Sequence, residues 1–298
     1  VGGYDELLAR ADIDAVYIPL PTGLRKEWVI KAAQAGKHVM CEKPCAINAT
    51  DLAEMIAACK ANNVQFMDGI MYMHSDRMKA LRDTLDDGES VGTIRRVTSQ
   101  FSFCAPEDFK AENIRMSSSL EPAGCLGDLG WYTIRMTLFV MNYEMPHTVS
   151  ARLISGAKRA DSPNDVPMQF SAELFFSNEV TAGFYKSFMT EHQQWVNVSG
   201  TKGHLTLNDF VLPYCGNELD FTVANANFVA NNTQFVMERH DRRVAVSEYS
   251  NNHPNAQETK LFGNFASLVL GGQPDNHWAD IVLKTQKVLD ACLESAYA

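Results

Sequence analysis

Between residues 15 and 67, short apolar runs alternate with longer stretches whose apolar residues recur every three to four positions. Ala15-Val16-Tyr17-Ile18 precedes Pro19-Leu20-Pro21-Thr22-Gly23, and Trp28, Val29, Ala32 and Ala33 then fall at helical spacing until Gly36. This predicts strand, loop and helix, with the glycine closing the helix because it tolerates a left-handed backbone. Lys37 to Cys41 reads as a second strand ending at Glu42-Lys43-Pro44, where proline has no amide for a ladder. Asn48 can cap a second helix whose Leu52, Met55, Ile56 and Cys59 form one apolar stripe. Val64 to Met67 is a third strand, leading into Met71 to His74. Strands alternating with helices form a parallel sheet with right-handed crossovers. The loops at 19–23, 42–45 and 69–75 then share the carboxyl edge, where open α/β sheets bind ligands.

Beyond residue 92 the period changes from helical to twofold. Strand-like segments run over 94–103, 148–154, 170–176, 180–188, 195–198 and 244–249, and predict a large, mostly antiparallel open sheet. Helices are expected at about 127–141 and 280–295. The fold class is therefore α/β plus α+β, with a parallel-sheet part at 1–72 and a second part at 73–298.

The 298 residues are about twice an ordinary domain. The 36 acidic residues outnumber the 26 Lys and Arg, giving a formal charge of −10 with no basic run longer than two residues. A phosphate-neutralising footprint is missing, so no nucleic-acid partner is expected. Seven cysteines stand singly, with neither metal-ligand nor C-x-x-C spacing, which reads as reduced thiols in a cytoplasm and no metal site. Apolar runs fall short of the ~18 residues a membrane helix needs. The chain opens Val1-Gly2-Gly3 without Met and reads as cut, with any export signal upstream.

Lys43 at a strand's carboxyl end can hydrogen-bond a substrate hydroxyl and lower a neighbouring acid's pKa; the tripeptide alone reads more readily as a solvated loop lysine. Asp128 and Tyr132 are four apart, one turn along a helix face, within the glycine-rich stretch Gly124 to Gly130. A phenol beside a cation can exchange protons while the carboxylate orients it, or Asp128 can serve the helix start and Tyr132 the core. His74 follows the third strand toward the same edge, and Arg25, one turn into its helix, could reach a cofactor oxygen or lie on the surface. Trp131 reads as packing or as a stacking platform. A G-x-G-x-x-G phosphate turn does not occur before residue 15.

Taken together and in order, Pro19-Leu20-Pro21-Thr22, Gly36-Lys37-His38-Val39 with Cys41-Glu42-Lys43-Pro44, Met71-Tyr72, and Gly124 to Tyr132 resemble the Gfo/Idh/MocA family of nicotinamide-dependent oxidoreductases. The similarity covers essentially the whole chain. The resemblance implies a partial Rossmann domain at 1–72, shortened by its first βαβ unit, and a substrate and oligomerisation domain at 73–298 whose last helix packs back on the first. It implies NAD or NADP as cofactor and hydride transfer to or from a sugar, polyol or similar compound. Lys43, Asp128 and Tyr132 would be catalytic; Pro19, Leu20, Pro21, Thr22, Arg25, Glu42 and Lys43 would line the cofactor. Tyr72, His74, Trp131 and Arg135 would meet the substrate, and the second-domain sheet would form a homo-oligomer. Two rivals use the same fold: an NAD-assisted glycoside hydrolase and a non-catalytic sugar- or nucleotide-binding homologue.

Overall fold

In the computed structural model, which describes residues 2–298, a short helix α1 (Tyr4–Leu8) precedes three parallel strands, β1 (Ala15–Ile18), β2 (His38–Cys41) and β3 (Phe66–Asp68), in the order β1-β2-β3. The crossovers are α2 (Thr22–Gln34) and α3 (Ala49–Ala61). The expected stripe of Leu52, Met55, Ile56 and Cys59 is buried on α3, and Asn48 caps it by accepting from the Asp51 amide at 2.8 Å. The three strands end at the loops carrying Pro19 to Pro21, Glu42 to Pro44, and Gly69.

Helix α4 (Asp76–Asp86) leads into the second sheet. Its strands are β4 (Ile94–Cys104), β5 (Thr148–Ala157), β6 (Val166–Phe175), β7 (Thr181–Ser187), β8 (Met189–Gly200), β9 (His204–Leu207), β10 (Leu219–Asn231) and β11 (Gln234–Val246), in the order β11-β10-β9-β8-β4-β7-β6-β5. Every neighbouring pair is antiparallel except β4 and β7. One face carries the core, including Val97, Phe101, Phe170, Val196 and Val198. The other is open and lined by Arg96, Thr98, Gln100, Tyr185 and Trp195.

The short helix α5 (Phe109–Glu112) lies in the long connection after β4. A π-turn over Leu126–Gly130 then feeds α6 (Trp131–Val140), nine of whose residues are buried. Helix α6 packs against β4 and against α8 (Asn276–Tyr297), which follows α7 (Gln257–Leu270). Hydrogen bonds tie α8 to both sheets: Gln65, just before β3, bonds both backbone groups of Asp275, Asp290 accepts from the Ala49 amide, and Ser295 Oγ accepts from the Ala151 amide of β5. Among the described residues no helix is long and apolar enough to cross a membrane.

The strand expected at 244–249 ends at Val246 and is the last part of a hairpin, β10–β11. Strand β9 pairs with β10 only at Thr222 to Ala224. From Asn225 the two strands therefore run on alone to a tight turn in which Asn232 adopts φ of 52°.

Gly124 has φ of 47°, and a Cβ there would lie 2.3 Å from the Pro167 carbonyl oxygen. Both the left-handed backbone and the close approach to β6 require glycine. Gly124→Ala should cost about 1–3 kcal/mol, read as a lower midpoint in chemical denaturation; an unchanged midpoint would contradict the tight fit.

Candidate active site

The carboxyl edge of the parallel sheet faces the π-turn, and Lys43 crosses between them. Its Nζ donates to Asp128 Oδ1 and to the Asp128 carbonyl, each at 2.8 Å, and lies 4.3 Å from the centroid of the Tyr132 ring. Gly127 sits where the two meet: a Cβ there would crowd Ala123 Cβ at 2.9 Å within its own segment and touch Pro44 Cγ at an ordinary 3.5 Å. Asp128 Oδ2 accepts from Arg115 Nε at 2.7 Å, so the carboxylate is held between two cations. Because the turn is π rather than α, Asp128 and Tyr132 are not spaced as on an ordinary helix face, yet both reach the same amine.

Burial works against charge on Lys43, but the Asp128 carboxylate outweighs it and holds the ammonium above the ordinary lysine value. Burial likewise raises the Asp128 carboxyl, and here Lys43 and Arg115 overcome it, leaving the group below the usual aspartate range. For Tyr132 burial prevails. The Lys43 charge offsets it only in part and Asp128 adds to it, so the phenol is raised above its ordinary value. Lys43 does pull toward the phenolate, as expected of it, but burial outweighs that pull and the protonated phenol is the stable form.

The structure divides the other expected residues. Pro19 is exposed, Leu20 and Pro21 are half-buried, and Glu42 lies beside them, its carboxylate accepting from Tyr17 Oη at 2.7 Å and from the Lys43 amide at 3.1 Å. Thr22 and Arg25 turn mainly inward. Thr22 is buried, and its amide and hydroxyl both donate to the Glu121 carboxylate, at 3.0 and 2.7 Å. The Arg25 guanidinium is buried and turned to the carbonyls of Leu20, Glu42 and Pro44, where it braces two loops. Thr22 has no group free for a cofactor oxygen, whereas of the Arg25 guanidinium Nε and Nη1 are bonded within the chain and Nη2 is not.

Four substrate candidates are corrected. Tyr72 is buried and donates to the Tyr132 carbonyl at 2.8 Å. Trp131 and Arg135, fully buried, bond the Asp68 carboxylate at 3.3 and 2.9 Å. His74 is enclosed by α7 and α8, its Nδ1 2.9 Å from Asn264 and its ring stacked on Trp278. Burial, with the Arg135 charge, lowers its pKa to about 4 and leaves it neutral. Tyr72, Trp131 and Arg135 hold α6 and its Tyr132 against β3, and His74 packs under α7 and α8.

Arg115, Glu121 and Tyr17 were missed. Arg115 lies in an aperiodic stretch before three serines, and Glu121 reaches Thr22 across 99 residues; no local spacing marks either. Among the described residues no cluster of His, Cys, Asp or Glu could hold a metal ion. For a nicotinamide nucleotide the residues fit at the ring end: the loop after β1 offers apolar Pro19, Leu20 and Pro21, and the loop after β2 offers Glu42 and the Lys43 ammonium. At the diphosphate end the start of α2 is filled by the chain's own Glu121.

Comparison with known proteins follows the two-part architecture. A family model described as the oxidoreductase family with an NAD-binding Rossmann fold, GFO/IDH/MocA, matches residues 2–70, and its C-terminal domain model matches 78–206. The chain is 28% identical over 293 residues to dTDP-3,4-didehydro-2,6-dideoxy-alpha-D-glucose 3-reductase of Actinomadura kijaniata, covering 98% of this chain and 79% of that enzyme. It is 32% identical over 214 residues to D-xylose 1-dehydrogenase (NADP(+)) 2 of Haloferax volcanii, covering 70% of this chain and 60% of the dehydrogenase. Among solved structures, a mutant 3-ketoreductase from Actinomadura kijaniata in complex with TDP-benzene and NADP superposes with a TM-score of 0.81 at 26% identity, covering 98% of this chain and 81% of that one.

Proposed function

Since the chain belongs to the Gfo/Idh/MocA family and is an NAD(P)-dependent oxidoreductase, we propose that it reduces, and in reverse oxidises, a carbonyl or carbinol carbon of a sugar, polyol or related hydroxylated compound. The convergence of Lys43, Asp128 and Tyr132 across 85 residues of sequence carries this reading. The sugar substrates named for the two relatives support the substrate class.

The bound nicotinamide supplies or takes up the hydride. Tyr132, kept protonated, gives its phenolic proton to the substrate oxygen in the reductive direction. The Lys43 ammonium donates a hydrogen bond to that oxygen and stabilises the charge developing there. Asp128, gripped by Arg115, holds the amine in place. Pro19, Leu20, Pro21 and Glu42 line the nicotinamide side. Residues 1–72 serve the cofactor, and 73–298 serve the substrate and assembly of identical copies through the eight-stranded sheet. A cytoplasmic location accords with the seven free cysteines, five of them buried.

Tyr132→Phe should lower kcat by about 10²–10⁴-fold on a reactive sugar while cofactor titration is unchanged. Because the phenol is raised, the wild-type reduction rate should stay level from roughly pH 6 to 9 and fall only as the phenol ionises above that range. Full turnover by Tyr132→Phe would remove the phenol from the mechanism.

A further inference from the structure

Strand β11 is the outermost strand of the eight-stranded sheet, thirteen residues long, with one edge paired to β10 and the other open. Ten consecutive residues, Gln234 to Arg243, are exposed. Beyond Asn225 the ribbon meets no third strand, and Phe228, Phe235 and Met237 stand 61%, 72% and 65% exposed on one face. A two-stranded ribbon alone is marginal in water, and a long open edge is a template for another strand.

The charges on that edge specify a partner. In an antiparallel pairing of β11 with itself, the register that aligns the strand end to end places His240 opposite His240. The same register sets Glu238 opposite Arg242 and Arg239 opposite Asp241, each twice by symmetry, and Val236 opposite Val244. No like charges meet. A shift of one residue is closed to a twofold pair, because only alternate residues turn their backbone groups to the open edge. A shift of two puts Asp241 or Arg239 opposite itself. Edge charges ordinarily deter strand addition; these deter every nearby register except the one of greatest overlap.

We infer that two copies of this chain join edge to edge through β11, antiparallel about a twofold axis at His240, so that their eight-stranded sheets become one. Each Met237 then lies opposite Arg243 of the other copy, and each Phe235 opposite Ala245. The groups needed are at hand on the surface: Arg239 and Asp241 now bond each other within the strand at 2.7 Å, and Arg242 bonds Ser90 Oγ at 2.7 Å. The inference rests on assembly through the sheet, proposed above, and names its edge as the contact.

Sedimentation of the full chain over a concentration series tests it. Glu238→Arg sets arginine against arginine twice and should weaken dimerisation by about tenfold or more. The exchange Glu238→Arg with Arg242→Glu should restore it, which separates charge pairing from damage to the fold. His240→Cys, on the axis, should give a covalent dimer under mild oxidation. A dimer unmoved by Glu238→Arg and not cross-linked by His240→Cys would overturn the edge contact while leaving assembly through the sheet standing. A monomer at all concentrations would end both.

Discussion

Lys43→Ala is expected to lower kcat by about 10²–10³-fold, the loss typical of a preorganised donor to a developing oxyanion. Lys43 both bonds Asp128 and lies over the Tyr132 ring, so its removal acts three times. The substrate oxygen loses its cationic donor. Asp128 keeps Arg115 alone, and its carboxyl rises toward the ordinary range because burial is then opposed by one cation rather than two. The Tyr132 phenol loses the charge that partly offset its burial and becomes a weaker acid. Lys43→Arg should not rescue, because a planar fork cannot reproduce a point donor in this space. Steady-state turnover with saturating cofactor is the measurement, and unchanged kcat in Lys43→Ala would refute the assignment.

The largest effect on stability is expected at Asp68 and Arg135. Both side chains are 0% exposed and meet at 2.9 Å, with Trp131 Nε1 on the same carboxylate and Thr285 Oγ1 accepting from Arg135 Nε at 2.7 Å. Breaking such a pair from one side strands a buried charge and costs about 3–5 kcal/mol. Arg135→Met and Asp68→Asn should therefore each lower the urea midpoint far more than the surface change Lys79→Met, whose ammonium pairs with Asp83 in solvent. Equal midpoints for these variants would show that the pair is not the brace of α6.

The sequence made the parallel sheet plain because helical and strand periods alternate cleanly over 15–67, and each buried stripe obeys its period. It also brought Lys43, Asp128 and Tyr132 forward, since their motifs are local. What it could not convey were contacts made across long separations. Thr22 and Arg135 carry a hydroxyl and a charge suited to ligands, yet each is taken up by a carboxylate far away in sequence, and Arg25 is turned largely to carbonyls of two neighbouring loops. Arg115 was hidden for the converse reason: it completes the site from a stretch with no period. The hairpin β10–β11 escaped because both faces of its outer half meet water, so the alternation that marks a half-buried strand never appears.

Helix α8 is fastened at its start to Gln65, at its middle to the first turn of α3 and to Arg135, and near its end to β5. A rod anchored to both sheets turns the crevice between them into a jointed frame with a crossbar. Lys43 and Tyr132 stand on opposite sides of that frame, so any gaping of the crevice must stretch or slide the bar. The spacing between amine and phenol is thereby steadied by a strut as well as by the bonds of Lys43 to Asp128.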